Sequence, residues 1–326
     1  MDYVKETLPI KEKISKFLWK TENGRVIRMG IGCGNMRNLS PGEYTESVNL
    51  LGAAYDKGFR FFDTSSDYDE SELIVGEFLK RIDRKTIFLS SKSPFAIRAD
   101  HQDFHNNRDK FVMQFKDTFY RSFERLGTDY IDLYLIHDTE NYSRCEREII
   151  PFLKEQKEKG LIGYFGTGMF TETAHELAIL YGGADAVLSY MGYSLIKNSA
   201  SGLIETAKKH GAAFINASVL HFGLIKCEDP LHFRNDMPLY LRELAKTAQR
   251  MQEYCKSQNI SIIAPALQIS LLNPDIDITL NGLRRNSNLD STIEAVNTVI
   301  HPEQWAEIFR IQNASPYFRV QGEYQY

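Results

Sequence analysis

The feature that most constrains this chain is a set of eight short apolar runs, rich in β-branched and aromatic residues, separated by longer segments of helical period. The runs span Val26–Gly30, Phe59–Asp63, Thr86–Ser90, Ile131–Ile136, Ile162–Gly166, Ala186–Ser189, Ala213–Asn216 and Ile276–Leu280. Parallel strands need helical crossovers, and closure of the sheet removes both exposed edges. We therefore predict an α/β fold, a (β/α)8 TIM barrel.

The 326 residues exceed an average domain, yet a barrel of about 250 residues forms one domain. An apolar run ending at Trp19, the turn Glu22-Asn23-Gly24 and then Val26-Ile27 predict an N-terminal β-hairpin. Without a Pro-rich or Gly/Ser-rich linker, we expect a single domain over residues 1–326. It would comprise a hairpin over about 17–29, a barrel over about 26–300 and a tail over 301–326.

Helices are predicted between the strands from caps and apolar spacing. Ser40-Pro41 is typical of a helix start, and Gly58, Gly160 and Gly211 are typical of helix ends. After the helix that starts at Ser40-Pro41, the predicted helices are Glu70–Lys80, Phe111–Leu126, Glu148–Lys159, Glu172–Tyr181, Gly202–His210 and one from about Asn288. Two polar insertions, 94–107 and 226–238, follow strand ends, where barrel enzymes build their active sites.

Composition excludes several classes of protein. Hydrophobic residues make up 43% and charged residues 25%, which is ordinary for a globular chain. The net charge of -4 offers no basic field for nucleic acid, and no apolar stretch approaches a membrane span. The four cysteines are far apart, without a C-x-x-C pair, and are expected to be reduced thiols. We expect a cytoplasmic protein without nucleic-acid or membrane partners; its oligomeric state is left open.

Three consecutive predicted strands end in ionisable side chains: Asp63, Lys92 and His137. Tyr68 follows Asp63 by five residues, and in a barrel such strand ends converge on one mouth. A phenol is a poor acid at neutral pH unless a neighbouring ammonium lowers its pKa, and a carboxylate can hold that ammonium. Tyr68 would then be the general acid, tuned by Lys92 and Asp63, while a neutral His137 donates a hydrogen bond to a substrate oxygen.

Each of these residues also has a purely structural interpretation, as a turn residue, a structural ion pair or a buried histidine. Two further patterns carry less weight. The run Gly30–Gly34 lacks a third glycine at the offset of a dinucleotide-binding motif, and no apolar helix follows it. His101 and His105 have zinc-ligand spacing but lie in what is expected to be a loop. We predict no metal.

The motif Asp63-Thr64-Ser65-Ser66-Asp67-Tyr68, continuing to Ser71-Glu72 and Gly76, resembles the aldo-keto reductase pattern Asp-Thr-Ala-x-x-Tyr-Gly-x-Ser-Glu-x-x-x-Gly, with Asp69 in place of a glycine. The run from Asp132 to His137 matches Asp-Leu-x-Leu-x-His. The resemblance covers roughly residues 20 to 300 and is greatest for the aldose and galactose 1-dehydrogenase branch. It implies Asp63, Tyr68, Lys92 and His137 as the catalytic tetrad, and NADP or NAD as cofactor.

The resemblance also implies where the cofactor lies. Tyr193 would stack on the nicotinamide, residues 217–224 would hold the pyrophosphate, and Arg284 and Arg285, if not merely solvated, would favour NADP. The polar residues that usually hold the carboxamide of the nicotinamide are replaced here by Gly168, Met169 and Tyr190. The expected cofactor-binding residues are Gly32, Cys33, Thr167, Gly168, Tyr190, Tyr193, Ser218, Leu220, Gly223, Gly282, Arg284, Arg285 and Asn288.

The sequence therefore predicts an NAD(P)(H)-dependent oxidoreductase that interconverts a small carbonyl or sugar substrate with its alcohol or lactone. Because the usual carboxamide contacts are missing, the alternative is a catalytically weak, cofactor-binding regulatory protein of the same fold. A metal-dependent barrel hydrolase would need a ligand cluster that the sequence lacks. Substrate identity is expected to depend on the two insertions and the tail after His301.

Overall fold

Eight parallel strands form a closed barrel in a computed structural model that describes residues 8–96, 101–137 and 142–319. The strands are β3 to β10, and β10 pairs with β3 to close the sheet. The strands in the described residues are β1 Trp19–Lys20, β2 Val26–Ile27, β3 Met29–Gly32, β4 Phe61–Asp63, β5 Phe88–Pro94, β6 Ile131–His137, β7 Ile162–Met169, β8 Ala186–Tyr190, β9 Ala213–Ala217 and β10 Ile278–Gly282. The predicted TIM barrel is confirmed, and each of the eight predicted apolar runs overlaps one barrel strand.

Helices surround the barrel in the order expected for strand-helix units. They are α1 Ile10–Ser15, α2 Pro41–Asp56, α3 Ser71–Leu79, α4 His101–Leu126, α5 Tyr142–Cys145, α6 Ile149–Glu158, α7 Glu172–Leu177, α8 Ser201–Lys209, α9 Leu239–Ser257, α10 Ile263–Leu272, α11 Asn286–Asn297 and α12 Pro302–Asn313. Helix α2 begins with a capping box between Ser40 and Glu43. Gly58, Gly160 and Gly211 have φ of 95°, 75° and 73°, which confirms them as helix-ending glycines.

The N-terminal hairpin is also confirmed, although its second strand covers only Val26–Ile27 and the barrel strand begins at Met29. Trp19 stacks on Phe59 with ring centroids 4.3 Å apart and donates from Nε1 to Lys57 O at 2.8 Å. A Cβ atom on Gly58 would lie 2.1 Å from Lys20 O. The hairpin therefore packs tightly against the end of α2, and only glycine fits at that contact.

Helix α1 was not predicted, and it lies under the barrel. Ile10 and Ile14 are buried in the cluster that fills the barrel interior, and the Phe17 ring contacts that of Phe88 at 6.0 Å. Tyr164 donates to Leu8 O at 2.6 Å. Since Phe88 begins β5, these contacts seal the amino-terminal end of the barrel and leave the opposite mouth for chemistry.

One helix prediction needs correction, and three helices in the last third of the chain were not predicted. Helix α4 begins at His101 rather than Phe111, with a kink at Asn107, so residues 101–107 of the first insertion are helical. The seventh unit contains two helices, α9 and α10, and α12 occupies much of the expected tail. These helices share an apolar cluster that includes Leu244, Ala266 and Ile308. None of the helices in the described ranges combines the length and apolar character of a membrane span.

Candidate active site

Asp63 and Lys92 form a buried ion pair at the carboxyl ends of β4 and β5. Lys92 Nζ lies 2.6 Å from Asp63 Oδ2 and donates to Thr64 O at 2.8 Å, while Ser90 Oγ donates to Asp63 Oδ1 at 2.9 Å. Burial raises the pKa of Asp63, and Lys92 and Ser90 act against that rise. Burial alone would lower the pKa of Lys92, but Asp63 and Tyr68 raise it above its ordinary value. Lys92 is therefore held as an ammonium.

Tyr68 lies half-buried in the loop between β4 and α3, next to this ion pair. Its ring centroid is 5.0 Å from Lys92 Nζ, and its side chain hydrogen-bonds with Lys92. A Cβ atom on Gly34 would lie 3.3 Å from Tyr68 Cε2, so the last glycine of the Gly30–Gly34 run makes room for the phenol. The Lys92 ammonium thus contacts both the Asp63 carboxylate and the Tyr68 phenol.

His137 ends β6 and is 3% exposed. Its ring is perpendicular to that of Tyr68, with centroids 5.6 Å apart, and its Nδ1 lies 3.2 Å from Ser65 Oγ. Burial, and secondly the charge of Lys92, lowers the pKa of His137 well below its ordinary value. The imidazole is therefore neutral at pH 7, so it donates a hydrogen bond from one ring nitrogen and accepts at the other.

The structure brings the four predicted catalytic residues together. Asp63, Lys92 and His137 occupy interior-facing positions on adjacent strands, and Tyr68 reaches them from the following loop. Such a group can move a proton through the phenol, stabilise its anion with an ammonium and hold a substrate oxygen with an imidazole.

Three predicted cofactor glycines lie at the same mouth. Gly32 and Gly282 are paired partners in β3 and β10, and Gly168 is the partner of His137 in β7. Partners in adjacent parallel strands face the same side of a sheet, so these positions point into the mouth without side chains. Other side chains approach two of these glycines: a Cβ atom on Gly282 would lie 2.8 Å from Asn35 Nδ2, and one on Gly168 would lie 3.2 Å from Tyr190 OH.

The two predicted cofactor tyrosines face different ways. Tyr190 belongs to the interior cluster, with its ring centroid 6.0 Å from that of His137 and 4.9 Å from that of Phe170. Tyr193 packs against the apolar clusters between sheet and helices, and its side chain hydrogen-bonds with Asn273. Tyr190 thus lies at the mouth, and Tyr193 is turned away from it.

Cys33 and Thr167 also turn their side chains away from the mouth. Cys33 is buried in the outer apolar cluster, and burial raises the pKa of its thiol. Thr167 Oγ1 lies 2.6 Å from His175 Nδ1, and His175 Nε2 lies 3.2 Å from Met169 O. Both residues can contribute to the mouth through their backbone only.

The turn after β9 has an unusual backbone. Ser218, His221 and Phe222 have φ of 56°, 54° and 52°, and Gly223 has φ of 100°. Leu220 anchors the turn by packing against two apolar clusters, and His221 is buried beneath it. Left-handed conformations are rare for residues other than glycine and concentrate at binding sites.

The loop before α11 holds the predicted adenosine contacts. Arg284 Nη2 lies 3.3 Å from Glu43 Oε1, in a half-exposed ion pair. Asn288 Oδ1 accepts from the backbone N–H groups of Arg284 and Arg285 at 3.2 and 3.1 Å. Asn288 therefore holds the corner of the loop, and the amino terminus of α11 supplies N–H groups beside two arginines.

The two histidines with zinc-ligand spacing both fall within α4, which begins at His101. His105 lies in α4 rather than in a loop, whereas residues 97–100 and the side chain of His101 lie outside the described residues. No group of three or more His, Cys, Asp or Glu that could hold a metal ion occurs in the described ranges. The residues 226–238 contain only the short 3-10 turn Pro230–His232 beyond Lys226. Within this insertion, Phe233 and Met237 pack in the apolar cluster that α9, α10 and α12 share.

Sequence reasoning overlooked two hydroxyl groups of this site, those of Ser90 and Ser65. Ser90 lies two residues before Lys92, and Ser65 lies two residues after Asp63. Strand period could have indicated Ser90, because it faces the same side as Lys92. Ser65 follows the end of β4, where period no longer predicts side-chain direction.

Comparisons with known proteins show which proteins this chain resembles. The model of the aldo/keto reductase family matches residues 28–313. The chain is 27% identical to L-galactose dehydrogenase of Arabidopsis thaliana over 83% of this chain and 85% of that protein. It is 25% identical to D-threo-aldose 1-dehydrogenase of a Pseudomonas species over 86% and 92%. The fold is similar to an aldo-keto reductase from Bacillus halodurans, with a TM-score of 0.65, 17% identity and coverage of 94% and 97%.

Proposed function

Because this chain belongs to the aldo/keto reductase family, we propose that it is an NAD(P)(H)-dependent oxidoreductase acting on a small carbonyl or sugar substrate. The observation that carries the proposal is the cluster of Asp63, Lys92, Tyr68 and His137 at one mouth. Relatives named as L-galactose, D-threo-aldose and D-arabinose 1-dehydrogenases favour oxidation of an aldose at carbon 1.

The described residues fit a nicotinamide cofactor. Gly32, Gly168 and Gly282 bring backbone without side chains to the mouth, and a Cβ atom on Gly168 would lie 3.2 Å from Tyr190 OH. Tyr190 would then border the nicotinamide ring, and Ser218, Leu220 and Gly223 would supply the pyrophosphate turn. The start of α11, with Arg284 and Arg285, would take the adenosine end, and we propose NADP, with NAD as the other candidate. When bound, the cofactor accepts or supplies the hydride.

The protein would handle the proton. In the oxidative direction Tyr68 takes the proton of the substrate hydroxyl, and Lys92 favours the phenolate that receives it. Asp63 holds Lys92 in place, and neutral His137 donates a hydrogen bond to the substrate oxygen. In the reductive direction the same phenol returns the proton to the alkoxide.

A second candidate function is a cofactor-binding regulatory protein with little turnover. It is favoured by Gly168 and Met169, because the former has no side chain and the latter is buried in the outer apolar cluster. Tight cofactor binding without turnover on a broad panel of aldoses and aldehydes would support it.

Tyr68→Phe tests the proposed function. Loss of the proton donor should lower kcat on the order of 10²- to 10⁴-fold, while cofactor affinity is kept. The measurement is NAD or NADP reduction with each aldose, together with cofactor titration by fluorescence. Tyr181→Phe is a matched control, since Tyr181 is 71% exposed. Unchanged turnover in Tyr68→Phe would contradict the proposal.

A further inference from the structure

Ser65 links the segments that carry the four site residues. It is completely buried in the loop between Asp63 and Tyr68. Its Oγ lies 3.1 Å from Lys92 O, 3.2 Å from the N–H nitrogen of Asp67 and 3.2 Å from His137 Nδ1. One hydroxyl group therefore touches both the strand of Lys92 and the ring of His137.

The state of His137 depends on where the single proton of this hydroxyl goes. A neutral imidazole donates from one nitrogen and accepts at the other. If Ser65 donates to Nδ1, the ring proton is on Nε2. If Ser65 accepts from Nδ1, then Nε2 has a lone pair and cannot donate to a substrate oxygen.

The number of donors around Lys92 O favours the first arrangement. Three donors approach this carbonyl: Ser66 N at 3.0 Å, Ser66 Oγ at 3.1 Å and Ser65 Oγ at 3.1 Å. A carbonyl oxygen has two lone pairs; Ser66 N–H fills one, and the two hydroxyl groups compete for the other. The other acceptor within reach of Ser66 Oγ is Ser93 Oγ at 3.2 Å, and that of Ser65 Oγ is His137 Nδ1. An unprotonated imidazole nitrogen is a stronger acceptor than a hydroxyl oxygen. This difference favours donation from Ser66 to Lys92 O and from Ser65, whose oxygen already accepts from the Asp67 N–H, to His137 Nδ1.

We propose that Ser65 is a positioning residue that donates its hydroxyl proton to His137 Nδ1 and so fixes the imidazole tautomer with the proton on Nε2. The nitrogen that Ser65 does not engage is then a hydrogen-bond donor. The tautomer itself is independent of the function proposed above; only the use of the Nε2 proton on a substrate oxygen rests on it.

The chain offers a matched pair of variants. Ser65→Ala and Ser66→Ala each remove one hydroxyl near Lys92 O, but only Ser65→Ala removes the contact with His137. Nitrogen-15 NMR of histidine-labelled, full-length protein without cofactor reports the tautomer, and His137→Asn identifies the resonances among the eight histidines. We expect the Nε2–H tautomer in the unmodified protein and in Ser66→Ala, and a mixture of tautomers in Ser65→Ala.

Kinetics supply the second measurement. Ser65→Ala should lower kcat roughly 3- to 10-fold, the size of one hydrogen bond, with cofactor affinity unchanged. An Nδ1–H tautomer in the unmodified protein overturns the proposal, even if Ser65→Ala does not fold. The same tautomer in Ser65→Ala as in Ser66→Ala also overturns it. A lack of turnover in the unmodified protein would contradict the proposed function instead, and the NMR result would stand.

Discussion

A lysine as completely buried as Lys92 is stable as an ammonium only because Asp63 and the Thr64 carbonyl surround it. Desolvation of two charges is costly, and removal of one partner leaves the other charge buried without compensation. The pair is therefore a weak source of stability, and its value lies in the positive charge that it keeps beside Tyr68. In the proposed function, this charge makes the Tyr68 phenol usable as an acid and a base near neutral pH.

At the proposed adenosine end, the Glu43 carboxylate would oppose a phosphate. This carboxylate faces Arg284 and would repel the 2′-phosphate of NADP. Glu43→Gln keeps an N3 side chain that can complete the capping box with Ser40, yet removes the charge. We expect the affinity for NADPH to rise roughly 2- to 5-fold, as for an exposed charge pair, and the affinity for NADH to stay the same.

Fluorescence titration of both cofactors at low and high salt checks this prediction. Salt screens the charge of Glu43, so the gain in NADPH affinity should be smaller at high salt. Glu46→Gln, an exposed residue of the same helix, is the control. Equal changes for NADH and NADPH would show that Glu43 does not face the phosphate.

Among the elements, helix α1 is too short to be stable alone, yet it contributes to the stability of the barrel. Six residues are too few to be helical alone in water, so its conformation depends on the contacts of Ile10 and Ile14 with the barrel interior. The helix completes the barrel core at the end opposite to the site. It should affect stability and leave catalysis unchanged.

Ile14→Ala should therefore reduce the free energy of unfolding by about 2 to 4 kcal/mol, because it opens a cavity beneath the strands. Urea unfolding measures the loss, and kcat well below the midpoint should not change. Glu12→Ala on the exposed face of α1 should cost less than about 0.5 kcal/mol. Equal costs for the two variants would mean that α1 does not seal the barrel in solution.

Over the whole molecule, buried neutral histidines should set the response to acid. Burial lowers the pKa of His175 to about 4 and that of His221 to about 3. An unfolded chain binds protons at both residues below about pH 6.5, whereas the folded chain does so only below these values. Their contribution to stability is thus lost as pH falls from about 6.5 to 4 for His175 and to 3 for His221.

At pH 5 each of these two buried histidines should lower the free energy of unfolding by about 2 kcal/mol relative to pH 7. Urea unfolding at both pH values tests this, and His175→Asn should show a loss smaller by that amount. His232→Asn is the control, because the His232 side chain is 83% exposed. If the pH dependence of His175→Asn equals that of the unmodified protein, the buried ring is already protonated at pH 5.

The sequence by itself determined the barrel and most of its active mouth. Strand period and helix caps are local properties, and closure of eight parallel strands brings Asp63, Lys92 and His137 to one end. Tyr68 followed from its motif, and its place next to Lys92 agrees with that motif.

Only the tertiary structure decided what lies beyond the regular elements. Met191 takes a left-handed conformation just after β8, which separates the inward Tyr190 from the outward Tyr193. Ser65 meets His137 across 72 residues of sequence, and α1 is buried by strands far along the chain. These features depend on packing between distant segments, where no local period specifies which way a side chain points.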